Sequence, residues 1–268
     1  MVKSASRTIA ILELLSTNPE GLQAKEISAA LGLAPSSCHG LLATLTAERA
    51  VRVLHSGAAT RFTLGPLMFR IGMRYGQTTD VIREGQSVAD ALCAAETVTA
   101  HVASLDGPDV VYIAKAEPRS PVRMASAIGQ VLRAHSTGVG KILIAGLPDI
   151  VLKNRYGVDG ALGAVTKNTI TSWPALRDQI EDIRARGVAS EREESSEGIA
   201  CVAAGVYNSD GLICALSAST PAAHMTNNRA EELSAAVTAH AADMSERLGA
   251  PEYPTAISPG TTREHSQW

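Results

Sequence analysis

The sequence predicts an α+β protein in two parts: a small helical head closed by a hairpin, then an antiparallel sheet flanked by helices. Three observations carry this. Apolar residues recur at helical spacing up to Leu45, then give way to two short alternating runs. From Val98 onward, apolar strand-like runs are joined by tight turns such as Asp106-Gly107 and Asp210-Gly211, which suit antiparallel pairing rather than a doubly wound sheet. At 268 residues the chain also exceeds one average domain.

In the head, Ile9, Leu12 and Leu15 with Ala5 give the apolar stripe of a first helix, and Asn18-Pro19-Glu20-Gly21 ends it. A second, short helix carries Ile27, Ala30 and Leu31 on one face and stops at Gly32. Pro35 opens a third, because its missing N–H has no helical partner in a first turn, and Cys38, Leu41, Leu42 and Leu45 face inward along it. Val51-Arg52-Val53 and Arg61-Phe62-Thr63-Leu64 alternate as strands around a turn at Ser56-Gly57-Ala58-Ala59. Three helices, a short turn between the second and third, and a trailing hairpin describe a winged helix-turn-helix over residues 1–65, an architecture that places its third helix in a DNA groove. The plain alternative is a helical packing domain without a ligand.

Residues 65–96 are helical again, marked by Leu67, Ile71, Val81, Ile82, Val88 and Leu92 and interrupted by Gly72, Gly76 and Gly85. They divide into a linker helix over 66–80 and the first helix of a second domain over 81–248. Strands are expected at 97–104, 109–117, 121–125, 188–192, 199–207 and 212–219, and helices at 137–146, 172–186 and 228–247. In the helix at 172–186, Leu176, Ile180 and Ile183 share a face, and Asn228 with Glu231 forms a capping pair for the last helix. From Gly249 the chain is rich in Pro, Ser and Thr without apolar periodicity, and reads as a disordered tail over 249–268.

Composition narrows the function classes. Hydrophobic residues make up 45% and charged residues 19%, enough for a sizeable soluble core, while aromatics at 3% are too scarce for stacked-base platforms. Net charge is −3 but uneven: residues 1–79 hold eight Lys/Arg and four acids, a balance of +4, leaving sixteen against twenty-three, or −7, in the rest. A basic head on an acidic body fits a nucleic-acid-binding module attached to a domain that binds neither DNA nor membrane. Cys38, Cys93, Cys201 and Cys214 lie far apart without a CxxC pair or a preceding signal peptide, which predicts reduced thiols and a cytoplasmic protein. No apolar run reaches the ~18 residues of a membrane span.

Four stretches bear on chemistry. Thr137-Gly138-Val139-Gly140-Lys141 invites a phosphate-loop reading and fails it, since His135 stands where the first glycine belongs and Ile142 replaces the magnesium-binding hydroxyl. Glycines before a helix still offer free N–H groups to a small anion, or serve only to pack a helix start on a strand. Glu191, Glu193, Glu194 and Glu197 lack the His partners or alternating spacing of a metal site, so they read as a solvated loop or as one inward acceptor, Glu191. Ser217 and Ser219, two apart on an apolar strand, share a face, and their buried hydroxyls need backbone partners or a polar ligand. Cys201 sits in an apolar strand as a core residue, with no base or orienting group beside it.

The ordered series SRTIAILELL (6–15), LAPSSCHGLLATL (33–45), FTLGPLMFRIG (62–72), RAHSTGVGKILIA (133–145), RARGVASEREESSEGIACVAAGV (184–206) and ALSAST (215–220) resembles the IclR family of bacterial transcriptional regulators, nearly to residue 248. The resemblance implies a winged helix-turn-helix, a linker helix and a GAF-like effector domain. It implies a homodimer, assembling as a tetramer, that binds double-stranded operator DNA beside catabolic genes and senses a small organic acid without a cofactor or metal. It places the acid's carboxylate on the Gly138 and Val139 amides and the Ser217 and Ser219 hydroxyls, with Glu191 and Cys201 at its other polar end. Met124, Ile128, Leu132 and Ile199 would form apolar walls, which favour an aromatic, hydroxybenzoate-like acid over an aliphatic oxo acid. Glu191 departs from the Asp common in the family, which alters the pocket's length.

The recognition helix departs too: Gly40 stands where related helices carry an arginine. Pro35, Ser36, Ser37, His39 and Thr44 remain to meet bases or phosphates, with Lys25, Arg52 and Arg61 (and Arg7 and Arg49) supplying charge from outside the helix. The competing function is an enzyme acting on a small carboxylate through the GAF-like domain, and a further alternative is a regulator that assembles without binding DNA.

Overall fold

The computed structural model describes residues 2–56, 59–78, 80–119, 124, 126–158 and 162–263. The chain divides into two compact units, Met1–Thr79 and Asp80–Trp268.

The first unit holds α1 (Lys3–Ser16), α2 (Ala24–Ala30), α3 (Pro35–Ala47), the antiparallel hairpin β1 (Val51–Ser56) and β2 (Ala59–Leu64), and α4 (Pro66–Thr78). Its core is Ile11, Leu15, Ile27, Leu33, Cys38, Leu42, Leu45, Ala50 and Val51. Of the expected stripe of α1, Leu15 is buried and Leu12 packs against the core, but Ile11 joins them in place of Ile9, which is 57% exposed, and Ala5 is exposed. On α2, Ile27 alone of the expected face is buried and Ala30 is exposed. Gln23 and Glu26 close a reciprocal cap at its start, with the Gln23 N–H donating to the Glu26 carboxylate at 2.7 Å. Pro35 stands in the first turn of α3 as expected. The hairpin is tied back by a bridge between Leu22 and Phe62. Gly57 and Ala58, in the expected turn, lie outside the described residues.

The second unit is a six-stranded antiparallel sheet in the order β5-β4-β3-β8-β7-β6. In chain order its elements are α5 (Asp80–Glu96), β3 (Thr99–Asp106), β4 (Asp109–Ala116), β5 (Val131–Arg133), α6 (Gly138–Ala145), α7 (Asp149–Tyr156), α8 (Trp173–Arg186), β6 (Val188–Arg192), β7 (Ile199–Asn208), β8 (Gly211–Pro221) and α9 (Asn227–Arg247). One sheet face carries Val102, Val202 and Leu216 against α5 (Val88, Leu92) and α9 (Leu233, Val237, Met244). The other carries Ala103, Ala203 and Ala215 against α6 (Ile142, Leu143) and α8 (Leu176, Ile180, Ile183). Small strand residues on that face leave room for α6, all eight of whose residues are buried.

Three expectations need correction, and a fourth lies mostly outside the described residues. The strand at 121–125 falls mostly outside the described residues, and Met124 within it is not in a strand. The cap of α9 is Thr226, whose hydroxyl accepts from the Arg229 N–H at 3.2 Å, instead of Asn228. The short elements β5 and α7 were not foreseen. The tail is not disordered over 249–263: Ile257 is 4% exposed, and Gly260 and Thr262 both donate backbone N–H bonds to the Gly146 carbonyl at 2.8 and 3.1 Å. The Thr262 hydroxyl donates to the Leu143 carbonyl at 2.6 Å, so the tail caps the C-terminal end of α6. Gly146 has no Cβ because one would lie 2.2 Å from Thr262 Oγ1. Residues 264–268 lie outside the description.

Candidate functional site

The start of α6 opens onto a cavity of about 350 Å³. Thr137 caps the helix, its hydroxyl accepting from the Gly140 N–H at 3.1 Å. The amides of Gly138 and Val139 have no partner within the helix and line the cavity. Glycine at 138 lets the helix start close on β7, since a Cβ there would lie 2.7 Å from the Cys201 sulfur.

Sheet register delivers the other polar groups. Ser219 pairs with Cys201 on β7 and Thr99 on β3, while Ser217 pairs with Ala203 and His101. Both serines are buried and line the cavity, and neither hydroxyl has a hydrogen-bond partner among the described residues. Glu191, opposite Cys201 in the β6–β7 pairing, is also buried. Its carboxylate accepts from the Glu194 N–H at 2.9 Å, the Ser195 hydroxyl at 3.2 Å and the Cys201 thiol at 3.6 Å. Burial pushes the Glu191 carboxyl above its usual range, opposed by the Glu194 N–H and the charge of Lys141. The Cys201 thiol is pushed well up, by burial first and then by Glu191, so it stays protonated and acts as a donor. That is the opposite of what a nucleophile needs.

Nine of the ten sequence-named pocket residues line this one cavity: Gly138, Val139, Glu191, Cys201, Ser217, Ser219, Met124, Leu132 and Ile199. Ile128 does not; it is 59% exposed. Cys201 lies directly against Gly138 and donates to Glu191, so it stands between the helix start and that carboxylate.

Sequence reasoning missed two rings. His101 and Tyr112 line the cavity and stack at 4.4 Å with planes 19° apart. His101 Nε2 lies 2.8 Å from the Ser126 hydroxyl, and burial, with Lys115 second, lowers its pKa to about 4. A usable signal existed: His101 is a polar residue in the apolar run of β3, as Ser217 and Ser219 are in β8.

Behind the cavity, buried Lys141 forms an ion pair with Glu194, whose second oxygen is unpartnered among the described residues. Glu194 is clamped in turn by the Thr169 hydroxyl, which donates to its carbonyl at 2.7 Å. Lys141 is thus a strut between α6 and the 193–198 loop. Among the described residues no cluster of His, Cys, Asp or Glu suits a metal ion, and no helix is long and apolar enough to cross a membrane.

In the first unit, Lys25, Pro35, Ser36, His39, Thr44 and Arg52 are exposed, and Ser37 is half-buried. Arg61 is engaged inside its own unit: it donates to the Gly21 carbonyl at 2.6 Å and lies 3.9 Å from Glu26. Arg52 donates from Nε to the Thr63 hydroxyl at 3.1 Å.

A family model described as the IclR helix-turn-helix domain matches residues 4–55, and one described as Bacterial transcriptional regulator IclR C-terminal matches 73–246. The HTH-type transcriptional regulator BhcR of Paracoccus denitrificans is 30% identical over 246 residues, covering 91% of this chain and 86% of its own length. An IclR transcriptional regulator structure from Alicyclobacillus acidocaldarius superposes with a TM-score of 0.81 at 26% identity, over 93% of this chain and all of the other. An IclR homologue from Microbacterium hydrocarbonoxydans, complexed with 4-hydroxybenzoate, shares the fold with a TM-score of 0.76 at 16% identity, over 91% of this chain and 99% of its own.

Proposed function

The chain belongs to the IclR family of bacterial transcriptional regulators, and from that premise we propose that it controls a catabolic operon in response to a small hydroxylated organic acid, an aromatic one of the hydroxybenzoate kind. The observation that carries the ligand class is the convergence of several donors and one acceptor in the cavity. The Gly138 and Val139 amides and the Ser217 and Ser219 hydroxyls form a neutral cradle for a carboxylate at a helix start. Beside it stands Glu191, an acceptor whose three present donors leave capacity for another. A ligand hydroxyl donates to that carboxylate, whereas an oxo oxygen only accepts and would face another acceptor. Stacked His101 and Tyr112, with Met124, Leu132 and Ile199, provide an apolar surface suited to a ring.

In this reading residues 1–65 bind the operator, 66–80 link, and 81–248 sense. The exposed Phe69 and Ile71 of α4 support assembly as a homodimer, and further as a tetramer. Titration calorimetry tests the ligand class: 4-hydroxybenzoate binds and pyruvate binds at least tenfold more weakly. Tighter binding of pyruvate overturns the aromatic assignment, and neither acid binding overturns the acid cradle. A gel shift with the gene's own upstream DNA tests operator binding, and finding no shift at low salt with effector present and absent counts against it.

A further inference from the structure

We propose that His39 is a base-reading residue of α3, and that it reads a hydrogen-bond donor, the exocyclic amine of adenine or cytosine in the major groove. The proposal rests on α3 being the helix that enters the groove. His39 Nδ1 lies 2.8 Å from the carbonyl oxygen of Pro35, one turn earlier. A carbonyl only accepts, so Nδ1 carries the ring proton, and in the neutral imidazole Nε2 is left as a bare acceptor. The same bond holds the ring in one orientation, so Nε2 is presented before DNA arrives.

A second back-bond acts in the same direction. The Thr44 hydroxyl donates its proton to the Gly40 carbonyl at 3.1 Å, which leaves Thr44 Oγ1 as an acceptor as well. Between them Gly40 is open, with nothing within 4 Å of the place where a Cβ would stand. Nothing at that position obstructs approach of the groove floor. The exposed face of α3 carries neither lysine nor arginine, whose donors fit guanine O6 and N7. The acceptors it does present fit the amines N6–H of adenine and N4–H of cytosine. A neutral acceptor does this without the repulsion that a carboxylate meets from the flanking phosphates.

Every base pair holds one of these amines on one strand, so the test deletes atoms rather than bases. Operators are selected from randomised duplex DNA with the wild-type protein and with His39→Ala, and the position that the variant relaxes is identified. At that position the amine is then removed, using purine for adenine or pyrimidin-2-one for cytosine. Removing it weakens wild-type binding by about three- to tenfold, the worth of one hydrogen bond, and leaves His39→Ala unchanged. His39→Gln, which keeps an acceptor, retains part of the preference. If wild type selects a defined operator but His39→Ala relaxes no position, the proposal is overturned while operator binding stands. It is equally overturned if the amine deletion costs the variant as much as wild type, or if 7-deaza purines, which lack an acceptor, reproduce the loss. Failure of the wild-type protein to select any sequence overturns the groove-entering role of α3 itself.

Discussion

Gly138 and Cys201 touch so closely that a single methyl group tests the pocket. In Gly138→Ala the new Cβ falls 2.7 Å from the sulfur, so the thiol that donates to Glu191 must shift. The cost to folding is about 1–3 kcal/mol, as for other overpacked cores, and effector binding drops by more than tenfold in calorimetry while the protein still folds. On the proposed reading, Ser217→Ala and Ser219→Ala each remove one donor to the effector carboxylate, and each is expected to weaken acid binding by roughly ten- to a hundredfold. His101 makes a separate pH prediction. Its folded pKa is about 4 against an ordinary 6.5, so between these values the unfolded chain binds a proton that the folded one refuses. Stability is therefore complete above about 6.5 and falls as pH drops towards 4, by up to about 3 kcal/mol. Urea melts at pH 7.5 and 5 check this, with His101→Gln losing less than wild type. At this scale the sequence exposed residues that were odd for their element, such as paired serines in an apolar strand. It hid Tyr112, whose ring belongs to the pocket only because β4 and β3 pair in one particular register.

Elements were legible where their own period settled them and illegible where partners did. The ten-residue β7 and eleven-residue β8 announce themselves as continuous apolar runs, and α8 as Leu176, Ile180 and Ile183. In α7 only Leu152 and Tyr156 are buried among charged neighbours, too thin a stripe to read. The segment from Gly249 to Arg263 is ordered by backbone bonds to Gly146, Arg184 and Leu212, which no periodicity in its own sequence encodes. Ile257→Ala consequently costs about 2–5 kcal/mol although it lies outside every regular element. Removing the chain after Leu248 lowers the calorimetric midpoint of the second unit and leaves that of the first unchanged. An unshifted midpoint would mean that the tail contributes nothing to α6.

For the molecule as a whole, the charge division of the sequence remains the guide to its two tasks. The basic head must neutralise phosphates, and Lys25→Ala and Arg52→Ala each reduce the salt slope of operator binding by about one. Arg61→Ala acts differently, because it also releases the Gly21 carbonyl, and its loss of affinity is accompanied by a lower melting point. If the acid and the operator select between the same states, linkage requires each to change the other's affinity by one common factor, typically ~5–150-fold. Measuring effector affinity with and without operator checks this, and two unequal factors would break the cycle. The tail has one more consequence. The eight residues of α6 span about 12 Å, with the proposed acid cradle at one end and Thr262 at the other. A fluorescent probe attached at Arg263 thus sits one helix length from the proposed ligand site and is expected to report ligand arrival, making the protein its own optical sensor.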